Sequence, residues 1–179
     1  MKKALTLIVV IIGFVWLISA LQPSNEQSYY PPTSVTKTLG TAVVIKTCYT
    51  DTTTTEAIIN LTNVERVKGG LRPLVHDSRL DASAMLKAQD MVALHYWSHD
   101  SPTGVKAWHW FRMVNYVYKN AGENLAENYR TNEEVITGWM NSSGHRYNVL
   151  KPVYEDIGVA VLCGVTDKNT TLVVAHYGN

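Results

Sequence analysis

The segment SRLDASAMLKAQDMVALH, residues 78–95, carries the clearest helical period in the chain. Its apolar residues recur at steps of three and four, which places them on one face of a helix. That face consists of Leu80, Ala84, Ala88, Met91, Val92 and His95. We therefore predict a helix over residues 78–95 that packs this face against the core.

A second helix is predicted before this segment. Thr53 and Glu56 have the spacing of a capping box, in which two side chains satisfy backbone amides that the first helical turn leaves free. Gly69 and Gly70 follow at the other end, where glycine readily adopts the left-handed conformation of a C-cap. The expected buried stripe of this helix is Ile58, Leu61, Val64 and Val67.

Two more helices are predicted after it. Residues 105–114 form a short helix that ends at Asn115, a residue that tolerates the left-handed conformation. Thr131 and Glu134 repeat the capping-box spacing at the start of the last helix. The apolar faces of these two helices are Trp108, Phe111 and Val114 for the first, and Val135, Ile136 and Trp139 for the second.

The end of the chain changes from helical to strand character. Residues 157–162 and 171–177 are rich in β-branched side chains and are separated by a turn-forming segment, which predicts an antiparallel hairpin. Residues 118–126 supply a third strand. Helices that precede and surround a small antiparallel sheet predict an α+β domain in layers over residues 53–179.

The amino terminus predicts export and membrane attachment. Lys2 and Lys3 precede an uncharged apolar run over residues 4–21, which is just long enough to span a bilayer. Lysines before the run and none directly after it place the remainder outside the cytoplasm. We predict that residues 1–21 are an anchor, or a signal peptide if they are cleaved, which would leave the protein secreted. Residues 22–52 are an extracytoplasmic linker, with a short strand expected over residues 41–48.

Composition and cysteine content limit the partners and the cross-links. The formal charge of +1 on 179 residues gives no concentrated basic surface, so we expect no nucleic-acid partner. Cys48 and Cys163 are the two cysteines of the chain, and outside the cytoplasm such a pair can persist as a disulfide. Two unpaired, half-buried thiols are the alternative.

Four segments in order resemble the bacterial branch of the CAP superfamily, also called the SCP domain. They are INLTNVERVKGGLRPLVHDSRLDASAMLKAQDM at residues 59–91, YWSHDSPTG at 96–104, AGENLAE at 121–127, and GWMNSSGHRYNVL at 138–150 leading into DIGVAVLCG at 156–164. The resemblance implies an α-β-α sandwich with a small antiparallel sheet between helical layers and a surface cleft above the sheet.

The resemblance also implies the residues of that cleft. The family typically presents two histidines and two glutamates there, and the matching positions in this chain are His99, Glu123 and His145. Ser142 stands where the second glutamate is expected, and Ala175 replaces a glutamine that is frequent in the last strand. Both departures weaken any transfer of an activity from relatives.

Two imidazoles and a carboxylate form a ligand set that suits zinc or another divalent metal. Without a metal, Glu123 would orient one imidazole as a general base. Our first hypothesis is a module that binds a metal or a peptide, lipid or cell-wall ligand through His99, Glu123 and His145. The alternatives are a metal-assisted hydrolase acting on peptides or cell-wall material, and a structural envelope protein with a vestigial cleft.

Overall fold

A computed structural model of the chain describes residues 46–47, 53–164 and 171–179, with ten elements in these ranges. The helices are α1 Thr55–Lys68, α2 Ser78–Ala93, α3 Trp108–Met113, α4 Asn132–Asn141 and α5 Ser143–Val149. The strands are β1 Lys46–Thr47, β2 Val75–His76, β3 Ala121–Glu127, β4 Asp156–Cys163 and β5 Thr171–Gly178. The fold class is therefore α+β, as predicted.

The sheet has the order β1-β4-β5-β3, with β2 also paired to β4. The predicted hairpin is confirmed, since β4 and β5 are antiparallel and set Ile157 opposite Tyr177. The third predicted strand, β3, pairs antiparallel with the other side of β5. β1 and β2 lie at opposite ends of the same edge of β4.

Helices cover both faces of the sheet, because its central strands are apolar on both sides. On one face, Val173 and Ala175 pack in a core with residues of α1 and α4. On the other face, Leu172 and Val174 pack against α2. This arrangement is the α-β-α sandwich that the resemblance implies.

The start of α1 differs from the prediction by one residue. Thr54 is the N-cap and accepts a hydrogen bond from the amide of Ala57. Thr53 is instead buried, and its hydroxyl donates to the carbonyl of Arg130. Gly69 and Gly70 end the helix as predicted, with φ of +73° at Gly70.

The predicted buried stripe of α1 was wrong in its second half. Val64 and Val67 are 46% and 58% exposed, and the buried positions are Ile58, Ile59, Thr62 and Arg66. The reason is Arg66, whose guanidinium is buried and donates to four backbone carbonyls of Arg72, Val149, Lys151 and Tyr154. A prediction that looks only for apolar residues in the sequence misses a core position occupied by a cation whose hydrogen bonds are all made inside the protein.

The other helices largely confirm the predictions. Five of the six stripe residues of α2 are buried, but His95 lies beyond the helix, is exposed and has φ of +52°. In α3 only Phe111 is fully buried, and Asn115 follows with φ of +55°. The capping box of Thr131 and Glu134 is present at α4, with Val135, Ile136 and Trp139 buried.

Two elements add to the predicted set. α5 and β2 were not foreseen, while β1 falls in the segment where a short strand was expected and joins the edge of the sheet. Within the described ranges no helix is long and apolar enough to cross a membrane. The predicted anchor at residues 1–21 lies outside the described residues, as does Cys48, so the anchor and the disulfide with Cys163 both stay predictions.

Candidate functional site

The centre of the site is Glu123, which β3 sets directly opposite His176 of β5. Nε2 of His176 lies 3.0 Å from Oε2 of Glu123, and both side chains are almost completely buried. Residues opposite each other in an antiparallel pair project their side chains to the same face. The strand register therefore places an imidazole against the carboxylate inside the domain.

The second carboxylate oxygen of Glu123 faces the surface and meets His99. Nδ1 of His99 lies 2.6 Å from Oε1 of Glu123, while the His99 side chain is 56% exposed. His99 lies in the loop between α2 and α3, so this contact joins the helical layer to the edge strand of the sheet. Glu123 thus bridges one buried and one exposed imidazole.

Behind His176, the bridge continues to α2. Oγ of Ser83 lies 2.7 Å from Nδ1 of His176, and both residues are fully buried. Helix α2 approaches this closely because β4 has Gly158 beside His176, where any Cβ would clash with the backbone of α2 at Asp81. Ser83, His176, Glu123 and His99 form one hydrogen-bonded chain from the core to the cleft.

A buried lysine holds the loop that carries His99. Nζ of Lys87 donates to the carbonyls of Ser98 and His99, at 2.7 and 2.9 Å, and to the hydroxyl of Tyr96 at 3.0 Å. Lys87 has no solvent exposure, and its ammonium lies 4.6 Å from the centre of the Tyr96 ring. Tyr96 in turn donates to Asp90, which supplies the nearby negative charge.

Electrostatics keep Glu123 ionised despite its burial. Burial acts to raise the pKa of this carboxyl, but hydrogen bonds from His176 and His99 and the charge of Lys87 outweigh it and lower the pKa to about 2. The opposite effect acts on the exposed partner, because the hydrogen bond to Glu123 raises the pKa of His99. The pair is therefore an imidazolium and a carboxylate over a wider pH range than free side chains would be.

His145 lies on α5, close enough to His99 to feel its charge, and it lines neither of the two cavities described below. Asn124 donates to the carbonyl of His145 at 3.0 Å, and Asn148 donates to the carbonyl of Glu123 at 3.0 Å, so two amides fasten α5 to β3. Partial burial lowers the pKa of His145, and the charge of nearby His99 lowers it further. His145 is thus the imidazole of the cleft that stays neutral, and available as a metal ligand, at lower pH.

Ser142 lies at the junction of α4 and α5. It is half-buried, and its side chain makes no capping hydrogen bond to α5. No hydrogen bond among the described residues joins Ser142 to Glu123 or His99. Of the four residues singled out from the sequence, His99 and Glu123 are in direct contact. The charge of His99 lowers the pKa of His145, and Ser142 directly precedes the first residue of α5.

Two cavities lie beside this set. One, of about 300 Å³, is lined by His99, Glu123, Trp108, Asn148, Lys151 and Tyr154 together with Asp100, Ala107, Ala121 and Gly122. The other, of about 420 Å³, is lined by Arg146, Tyr147, Lys151 and Leu150 together with Met140, Asn141, Ser143 and Pro152. Lys151 lines both cavities.

Sequence reasoning missed His176, Ser83 and Lys87, which form the buried half of the site. A signal existed for two of them, because Ser83 and Lys87 lie one helical turn apart within the apolar stripe of α2, where a polar residue must find a partner. His176 gave no usable signal. Alternation puts it on the face opposite Val173 and Ala175, but does not indicate which helix covers that face.

The cleft offers few free donor atoms to a metal. Within the described part of the chain, no three side chains of His, Cys, Asp or Glu are grouped so that they could hold a metal ion. Both oxygens of Glu123 already accept hydrogen bonds, which leaves His99 and His145 as the two imidazole candidates. Two protein ligands fit an open, weak site rather than a closed structural one.

Comparison with known proteins identifies the family of the chain. The family model described as CAP, the cysteine-rich secretory protein family, matches residues 59–177. Two proteins of Bacillus subtilis are similar in sequence. The uncharacterized protein YkwD is 46% identical over 102 residues, which is 57% of this chain and 40% of that protein. The uncharacterized membrane protein YlbC is 36% identical over 110 residues, covering 62% of this chain and 32% of that protein.

Solved structures agree in fold. An extracellular protein containing a SCP domain from Bacillus anthracis has a TM-score of 0.61 and 30% identity, covering 70% of this chain and 40% of that one. An outer surface protein of Borrelia burgdorferi has a TM-score of 0.63 at 20% identity over 69% of this chain and 90% of that one. The chain spans less than half the length of the curated relatives it matches.

Proposed function

Because the chain belongs to the CAP, or cysteine-rich secretory protein, family, we propose that it is a binding domain that works outside the cytoplasm and takes its ligand in the cleft beside His99. The single observation that carries this proposal is the fully engaged carboxylate of Glu123, held between buried His176 and half-exposed His99. A buried carboxylate is costly to desolvate, and the hydrogen bond from Glu123 to a surface imidazole supports a binding role for this site.

We propose a divalent metal such as zinc as one ligand of the cleft, and the orientation of His99 supports it. With Nδ1 of His99 bound to Glu123, the other ring nitrogen is directed away from that contact, and a carboxylate behind a histidine is the usual support of a metal-binding imidazole. His99 and His145 would hold the ion, and Glu123 would orient His99 rather than bind directly. A zinc ion there would supply Lewis acidity to a bound water.

Zinc titration by calorimetry tests the metal proposal. We expect a site of modest affinity that weakens as the pH falls through the raised pKa of His99, where protons compete for the imidazole nitrogens. The variants His99→Ala and His145→Ala should each abolish binding, while His109→Ala, which removes a histidine packed beside Trp110, is the matched control. Equal binding by the His99→Ala, His145→Ala double variant and the wild type would refute the site.

The proposed location is the outer side of the membrane, with residues 1–21 as the anchor. The predicted apolar run supports it, as do an extracellular relative in Bacillus anthracis and a relative named as a membrane protein in Bacillus subtilis. Protease added to intact cells should digest the domain. Protection that is lost only after lysis would place the domain inside.

A hydrolase is the second candidate, favoured by one observation. The 2.6 Å contact between Glu123 and His99 resembles the pairing that orients a general base. A peptidase assay on the wild type and on Glu123→Gln decides it, since a hydrolase should lose turnover by about 100-fold or more in the variant. If neither zinc nor any tested ligand binds and no turnover occurs, the vestigial-cleft alternative stands.

A further inference from the structure

We propose that the ligand of this cleft carries a carboxylate or phosphate group and that Lys151, which lines both cavities, recognises it. This inference rests on the proposed binding function and adds the chemical class of the ligand. Lys151 lines both cavities, so the proposed ligand is an extended one that places its acidic group at Lys151.

Lys151 is placed with little freedom. Its backbone carbonyl accepts a hydrogen bond from the buried guanidinium of Arg66 at 3.0 Å, and the same guanidinium binds the carbonyls of Val149 and Tyr154. The backbone that carries Lys151 is therefore fixed to the core. A backbone that is fixed before binding loses less entropy when a ligand binds.

The ammonium of Lys151 lies over aromatic faces. It is 4.9 Å from the ring centre of Tyr154 and 5.4 Å from that of Tyr147. Among the ion pairs of the described residues, none joins Lys151 to a carboxylate, whereas the exposed lysine Lys106 pairs with Asp100 at 2.5 Å. Two tyrosine faces position the cation without neutralising it.

The charges that line the cavities favour an anion. Asp100 is engaged by Lys106, and both oxygens of Glu123 are engaged by imidazoles. Arg146 adds a second cation to the lining of the larger cavity. Among the described residues that line the cavities, Lys151 and Arg146 carry charges without an ion-pair partner, and a carboxylate or phosphate would form charge-assisted hydrogen bonds with them.

The test is calorimetric binding of three soluble probes to the full domain. One is an acidic peptide with two free carboxylates, one is a glycerol phosphate oligomer, and one is a neutral N-acetylglucosamine oligomer. We expect at least one acidic probe to bind and the neutral one not to, with the affinity falling as salt rises. The two acidic arms distinguish a peptide source from a phosphate polymer.

Lys151→Gln should weaken binding of the acidic probe by about tenfold or more, the value of one charge-assisted hydrogen bond. Lys119→Gln makes the same charge change at an exposed lysine that lines neither cavity, and it should bind as the wild type does. Unchanged binding in Lys151→Gln, equal binding of the neutral oligomer, or no acidic binding by the wild type would overturn the inference. Zinc binding measured on the same samples reports separately on the proposed metal function.

Discussion

The two sides of Glu123 differ in how their charges are held. On the inner side, His176 and Ser83 are fully buried and each hydrogen bond has a protein partner. On the outer side, His99 is 56% exposed and the cleft beyond it opens to solvent. The inner half is thus a fixed support that tolerates little change, while the outer half can exchange partners. This contrast predicts large stability effects inside and large binding effects outside.

The largest expected effect is the loss of the central carboxylate. Glu123→Ala leaves two imidazoles without their acceptor, one of them buried, and the loss of two hydrogen bonds to a charged carboxylate costs about 3–5 kcal/mol of unfolding free energy. Denaturant unfolding measures it. Glu127→Ala, at the exposed end of the same strand, is the matched control and should cost far less. Similar losses in both variants would mean that Glu123 only supports the strand.

Acid should remove the same contribution without a mutation. The pKa of Glu123 is lowered from 4.5 to about 2, so its stabilisation is fully present above pH 4.5 and is lost as the pH falls toward 2. A shift of this size corresponds to about 3 kcal/mol. The difference in stability between the wild type and Glu123→Gln should shrink over this window. A difference in unfolding free energy that stays constant over this pH window would show that the charge of Glu123 does not stabilise the fold.

Removing the buried lysine should cost less than removing Glu123. Lys87→Met keeps the aliphatic stem but leaves the carbonyls of Ser98 and His99 and the Tyr96 hydroxyl without their donor, which amounts to about 2–3 kcal/mol. Lys106→Met, at a 63% exposed lysine, controls for loss of charge. If both variants unfold at the same denaturant concentration, Lys87 does not hold the loop.

Titration of His99 and His145 tests the outer half of the site. NMR should give His99 a pKa above its ordinary 6.5, because Glu123 stabilises the imidazolium, and His145 a pKa below 6.5, because burial and His99 disfavour its charge. Glu123→Gln should lower the pKa of His99. The stabilising contribution of His99 is present below pH 6.5 and is lost as the pH rises through the raised pKa, and solvent screening keeps it small. Equal pKa values for both histidines would contradict the geometry.

The same contrast explains what the sequence could predict. Glu123 and His99 lie in motifs with family spacing, and the apolar periods located α2, α4 and the hairpin. Arg66 and Lys87 were not predicted, because a charged residue in a core is paired by backbone carbonyls from distant segments, and no local pattern records such partners.

His176 could not be predicted for a different reason. Its role depends on the register of β3 against β5, which sets Glu123 opposite it, and on Gly158, which lets α2 come close. A shift of one residue in that register would turn His176 to the other face. The inner half of the site is therefore a property of the assembled sheet rather than of any segment.

The smallest expected effect concerns the far end of the hydrogen-bonded chain. Ser83→Ala removes only the hydroxyl that lies 2.7 Å from Nδ1 of His176, and the smaller side chain fits without a clash. His176 then keeps its bond to Glu123 but has one buried nitrogen without a partner, which costs about 1 kcal/mol. Ser78→Ala makes the same change at an exposed position of α2 and should cost only a few tenths of that. Because His176 still holds Glu123 in Ser83→Ala, zinc affinity and the pKa of His99 should stay at their wild-type values. A loss of zinc binding in this variant would instead mean that the support of the cleft extends through the whole chain to α2, and that the inner and outer halves are one coupled unit.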